Sequence, residues 1–169
     1  MSADSFLYFA YGSNMPTARM RSRCPSANVV GIGELLGHEL RWHKRSIDGS
    51  GKCDVVSVDA PSARVFGVIY EIAQSERALL DAAEGNGYEA VQIEVQYGGQ
   101  SLNATLYRAK ATDPALRPYT WYRALVIAGA KEHRLPASHI SFLEAVPADK
   151  DENRARHDMN MALIEGVRA

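Results

Sequence analysis

A chain of 169 residues with 46% hydrophobic content is long enough for one packed core and short for two, so a single domain is expected. Lysine and arginine total 19 against 20 acidic residues, a formal net charge of -1, which provides no overall field for nucleic acid or an anionic membrane surface. The Met1-Ser2-Ala3-Asp4-Ser5 start lacks the basic region of a signal peptide, no run approaches the ~20 apolar residues of a membrane span, and Cys24 and Cys53 lack metal-ligand spacing. A cytoplasmic protein with free thiols is the expectation.

Phe6-Leu7-Tyr8-Phe9-Ala10 is an apolar run ending at Gly12-Ser13-Asn14, the pattern of a fully buried strand followed by a turn. Pro16 opens a short helix over Thr17-Ala18-Arg19-Met20, which Cys24-Pro25-Ser26 ends. Residues 29–36 and 39–44 flank Gly37-His38 and read as a hairpin, followed by a polar loop over 45–52. Strands are expected at 55–59 and 65–72, with a turn at Ala60-Pro61-Ser62-Ala63. Ser75 reads as the N-cap of a helix whose apolar stripe is Leu79, Leu80 and Ala83 and whose stop is Gly85. Gly98-Gly99 between 88–97 and 101–109 is a strong hairpin signal. The last third is helical, over 120–132, 136–145 and 152–165. The sum is an α+β fold, a small mixed or partly closed β-barrel with flanking helices.

Two features point to chemistry. A turn such as Tyr11-Gly12-Ser13-Asn14 at a strand's end can aim successive backbone N–H groups into one concavity and hold an anion or oxyanion. It also reads as a plain turn, or with Ser13 as a nucleophile, although no histidine lies near Ser13 in sequence to serve as its base. Glu84 stands at the C-terminal end of its helix, where the macrodipole disfavours an anion by typically ~0.3–1 kcal/mol. It is either an ordinary exposed glutamate or a carboxyl whose pKa is raised for general acid/base work. Gly31-Ile32-Gly33 has Leu36 where a dinucleotide fingerprint needs its third glycine, and the five histidines include no i, i+4 pair for a metal. Arg19, Arg21, Arg23, Lys44 and Arg45 fit either a substrate carboxylate or a solvated surface.

Three blocks in order resemble the γ-glutamylcyclotransferases. Residues 6–14, Phe-Leu-Tyr-Phe-Ala-Tyr-Gly-Ser-Asn, are similar to that family's opening strand and substrate loop. Leu80-Asp81-Ala82-Ala83-Glu84-Gly85, with Tyr88 and the strand after it, resembles the segment carrying the catalytic glutamate. Gly129-Ala130-Lys131-Glu132-His133-Arg134-Leu135-Pro136 is similar to a helix-ending signature. The likeness covers a core at about 6–146, and the helical tail at 147–169 has no counterpart. The resemblance implies a γ-glutamylcyclotransferase that releases 5-oxoproline, commonly dimeric, without metal or organic cofactor, whose partner is a small γ-glutamyl molecule. It implies Glu84 as the acid/base, with Tyr11, Gly12, Ser13, Asn14, Tyr88, Tyr107 and Tyr122 binding substrate. A γ-glutamylamine cyclotransferase, an amide hydrolase and a non-catalytic binding module remain alternatives on the same scaffold.

Overall fold

The computed structural model describes residues 4–168, with side chains as far as Ile164. The reading of Met1-Ser2-Ala3 lies outside the described residues. In chain order the elements are β1 (Ser5–Ala10), α1 (Thr17–Arg23), β2 (Asn28–Leu36), β3 (His38–Arg45), β4 (Gly51–Ser57), β5 (Arg64–Ala73), α2 (Arg77–Glu84), β6 (Tyr88–Tyr97), β7 (Gln100–Ala109), α3 (Thr120–Glu132), α4 (Ala137–Ala145) and α5 (Arg154–Arg168).

The apolar opening run becomes a stave of a closed barrel, in the order β1-β5-β2-β6-β7. β1 runs antiparallel to β5 and parallel to β7, where Tyr8 meets Thr105, so the barrel is mixed. Closure leaves no free edge on these strands, and Leu7, Tyr8, Phe9 and Ala10 are buried in succession instead of alternating. β6 and β7 pair from Tyr88↔Ala109 to Tyr97↔Gln100. Their turn has Gly98 at φ 56° and Gly99 at φ 80°, the pair of positive values that a two-residue hairpin needs. The fold is thus the small α+β barrel with flanking helices that the pattern of elements implies. Among the described residues no helix is long and apolar enough to cross a membrane.

Three local expectations are corrected. β2 and β3 are not a hairpin: β2 lies in the barrel beside β5 and β6, and β3 pairs with β4 in a separate two-stranded sheet. Apolar pattern marks a strand without naming its neighbour, and both sides of β2 are taken by distant segments. β4 starts at Gly51, inside the stretch expected to be loop. That stretch reads as loop because it is polar and contains glycines, yet Lys52 at its end and Asp54 just beyond it are buried and paired, Lys52 with Asp48 and Ser50, Asp54 with His43 and the Ala109 N–H. Ser75 caps nothing; it sits in a short 3-10 turn, Gln74–Glu76, and α2 begins at Arg77 without a side-chain cap. The neighbouring Glu76 carboxylate instead accepts the Ser26 hydroxyl at 2.6 Å, joining the end of α1 to the start of α2.

One buried group sets an acid limit on stability. The His139 ring is 7% exposed, packs edge-on to Phe66, and its Nε2 has no hydrogen-bond partner. Burial pushes its imidazole down to about 4. The unfolded chain takes up a proton near pH 6.5 that the folded chain refuses until far lower, so stability present above pH ~6.5 is lost as pH falls toward 4. Replacing His139 by Leu removes this loss: denaturant midpoints of the variant change less between pH 7.5 and pH 5 than those of the unsubstituted protein.

Candidate active site

α2 ends at Glu84 because Gly85 follows at φ 74°, and the Gly85 N–H closes the last turn on the Asp81 carbonyl at 3.0 Å. The Glu84 side chain turns into a cavity of about 170 Å³ and is half-buried there. Its Oε1 accepts the Asn14 amide at 2.7 Å and the Tyr8 hydroxyl at 3.0 Å. Asn14 is oriented in turn by Arg23, whose guanidinium donates to the Asn14 carbonyl oxygen at 2.6 Å. The unfavourable helix-end position is therefore offset by two direct donors and nearby cations.

These neighbours also set the proton affinity of the carboxyl. Burial pushes Glu84 above the ordinary glutamate range; the Arg23 charge, the Tyr8 hydrogen bond and the Arg19 and Lys44 charges pull it partly back. Burial holds the hydroxyls of Tyr8, Tyr11, Tyr88 and Tyr122 well above the usual tyrosine range, so they stay protonated donors.

The turn after β1 is closed by the Met15 N–H on the Gly12 carbonyl at 3.1 Å. Its position is fixed from behind: the Met15 carbonyl accepts the Tyr70 hydroxyl at 2.6 Å and lies 2.9 Å from His133 Nε2. The Glu132 carboxylate accepts the Thr17 N–H at 3.2 Å. The third block of resemblance thus ends α3 and braces the loop of the first. Gly12 lies against Cys53 and Tyr122, where a Cβ would come 3.1 Å from the Cys53 Cβ.

The remaining wall is aromatic. The Cys53 backbone holds two tyrosines, giving its N–H to the Tyr122 hydroxyl at 3.1 Å and accepting the Tyr88 hydroxyl at 2.7 Å. Tyr11 donates to the Tyr107 carbonyl, and Tyr107 donates to Asp81. Glu84, Tyr11, Gly12, Ser13, Asn14, Tyr88, Tyr107 and Tyr122 all line the one cavity. Sequence reasoning missed Tyr8, Lys52, Cys53 and Trp121, which also line it, and left Arg19, Arg23 and Lys44 open. The tail reaches this wall as well. Asp151 accepts the Trp121 indole N–H at 2.8 Å and Arg156 at 2.6 Å, tying the segment before α5 to the pocket. Burial pushes the Cys53 thiol far above the usual range, unsuited to a nucleophile. Among the described residues no group of three or more His, Cys, Asp or Glu is gathered to hold a metal.

A closed mixed barrel with one carboxylate facing the turn after its first strand is the class of fold and site in hand. The model of the AIG2-like family matches residues 64–143. A solved γ-glutamyl cyclotransferase superposes with a TM-score of 0.85 at 25% identity, covering 96% of this chain and 99% of its own. The human γ-glutamylcyclotransferase is 30% identical over 171 residues, covering 96% of this chain and 90% of the human protein. The mouse protein of that name is 27% identical over 178 residues, with the same coverage. The chain belongs to the γ-glutamylcyclotransferase family and is an enzyme of this type.

Proposed function

We propose that the protein converts a γ-glutamyl amino acid or related γ-glutamyl amide to 5-oxoproline and the free amine, with Glu84 as general acid/base. The observation that carries this reading is the Glu84 carboxylate: held by Asn14 and Tyr8 beside the Gly12 turn, its proton affinity is raised toward the working range of an acid/base. The nucleophile and electrophile both belong to the substrate, so enclosing a folded conformer supplies up to ~7–11 kcal/mol of the barrier.

Glu84 takes a proton from the substrate α-ammonium, and the freed amine attacks the γ-carbonyl carbon. The N–H groups of the Gly12, Ser13 and Asn14 loop stabilise the oxyanion. Protonated Glu84 then gives its proton to the departing nitrogen, and the C–N bond breaks as the oxyanion returns to a carbonyl. Glu84 takes the second proton from the ring nitrogen and passes it to the released amine, which leaves as an ammonium and returns Glu84 to its carboxylate. Two protons move from the α-nitrogen to the departing nitrogen, no water is consumed, and no covalent enzyme intermediate forms.

Incubation with γ-glutamyl amino acids, γ-glutamyl amines and glutathione, assayed for 5-oxoproline and glutamate, tests this directly. 5-Oxoproline without glutamate is the expected product; glutamate alone makes the protein a hydrolase. The Ser13 hydroxyl meets the Tyr122 hydroxyl, and no histidine among the described residues lines the cavity they share. Ser13→Ala accordingly loses far less turnover than Glu84→Gln in the same assay, whereas a nucleophilic Ser13 would make the two losses comparable.

A further inference from the structure

Arg19, Arg23, Lys44 and Lys52 line the Glu84 cavity, and their charges are not equally engaged. Lys52 donates to Asp48 and to Ser50 at 2.8 Å each and lies over the Trp121 and Tyr122 rings, 4.4 and 4.6 Å from their centroids. Its charge is met within the protein. Arg23 donates to Asn14 and so serves the residue that holds Glu84. Two cations remain. Among the described residues neither Arg19 nor Lys44 forms an ion pair, and the Arg19 Nε is buried without an acceptor. The Lys44 ammonium has the Tyr88 ring 4.7 Å away and no hydrogen-bond acceptor.

The two cations reach the cavity from different elements. Arg19 stands on α1, shortly after the Gly12 to Asn14 loop, where its charge feels the like charge of Arg23 and the opposite charge of Glu84. Lys44 comes from β3, outside the barrel, and lies over the first residue of β6. Gly87 makes room for it: a Cβ there would stand 2.7 Å from the Lys44 Nζ. Among the described residues Glu84 is the one carboxylate lining the cavity, and it acts on both cations from a distance, without a direct ion pair to either. Burying ammonium and guanidinium groups without an anion in direct contact is costly, so this arrangement fits a ligand that brings further anions.

Building on the proposed cyclisation, we propose that Lys44 determines leaving-group specificity: it binds a carboxylate on the departing amine, while Arg19 binds the α-carboxylate of the γ-glutamyl head. Two unpaired cations then meet the two carboxylates of a γ-glutamyl amino acid. A substrate with an uncharged leaving amine leaves Lys44 half-buried and unpaired, and is disfavoured.

The test uses γ-glutamyl-alanine and γ-glutamyl-alaninamide, which differ at the leaving group in one carboxylate. kcat and KM for 5-oxoproline release are measured for the unsubstituted protein, Lys44→Met and Lys44→Arg, with thermal melts to confirm folding. The unsubstituted protein favours the acid. Lys44→Met lowers the acid-to-amide ratio of kcat/KM at least about tenfold, mainly through KM for the acid, the loss of one charge-assisted contact. Lys44→Arg restores most of that ratio. An unmoved ratio in Lys44→Met overturns the assignment; equal losses on both substrates would place Lys44 on the shared γ-glutamyl head instead. 5-Oxoproline release with an unmoved ratio removes only the Lys44 role, whereas no release from either substrate removes the cyclisation and this role with it.

Discussion

Glu84→Gln lowers 5-oxoproline formation at least ~10²-fold, the lower range for loss of a general acid/base, while the barrel stays folded. The amide keeps an oxygen for Asn14 and Tyr8 but cannot carry the proton, so the loss falls on kcat more than on KM. Turnover retained by this variant would end the Glu84 assignment. The stability of the same variant has a definite sign. Burial raises the folded proton affinity of Glu84 above its unfolded value, so its ionised carboxylate costs stability at neutral pH, and that cost falls away as pH drops and the group takes up its proton. The Gln variant therefore melts at or above the temperature of the unsubstituted protein at pH 7, and its relative advantage shrinks at lower pH.

The acid limb of the pH profile follows from the same neighbours. Activity falls as Glu84 takes up its proton, at a pH above the ordinary glutamate range. Arg23 is the strongest of the influences that oppose this rise, so Arg23→Leu moves the acid limb of kcat/KM to higher pH. A limb that stays in place, or moves to lower pH, would show that another group governs it.

How much of this was legible in the chain differs by element. The β6–β7 hairpin and α3 were readable because local sequence decides them: two glycines take positive φ, and Leu125, Val126 and Ala130 supply a buried face. Pairing of β2 with β5 was not, since nothing near residues 28–36 marks a partner after a separate two-stranded sheet. β4 failed for a different reason, as Lys52 and Asp54 are charges buried with their partners. In the site, family resemblance marked Glu84 and the loop, while local physics gave only an awkward helix end. Tyr8 was hidden within an apolar run that reads as core, and only the folded chain brings its hydroxyl to Glu84. Trp121 and its support on Asp151 depend on a tail without counterpart in that resemblance.

Gly129→Ala destabilises the protein by ~1–3 kcal/mol, the usual cost of overpacking, and impairs catalysis through the loop it presses. Helix propensity alone predicts the opposite sign, because alanine is favoured over glycine inside a helix by ~1 kcal/mol. Packing decides here: an added Cβ would stand 2.5 Å from the Met15 Cβ and 2.7 Å from the Pro16 nitrogen and Cδ. The Pro16 nitrogen is backbone, so relief requires α3 and the loop to separate. Met15 is held by Tyr70 and His133, and Asn14 beside it carries the hydrogen bond to Glu84. Separation therefore displaces both the turn that would face the substrate oxyanion and the amide that orients the carboxylate. Thermal denaturation reads the first effect, as a fall of ~2–4 °C per kcal/mol for a domain of this size. Steady-state kinetics reads the second, with kcat reduced as well as KM raised. A higher melting temperature with unchanged kinetics would show that α3 and the loop have more freedom than this contact allows.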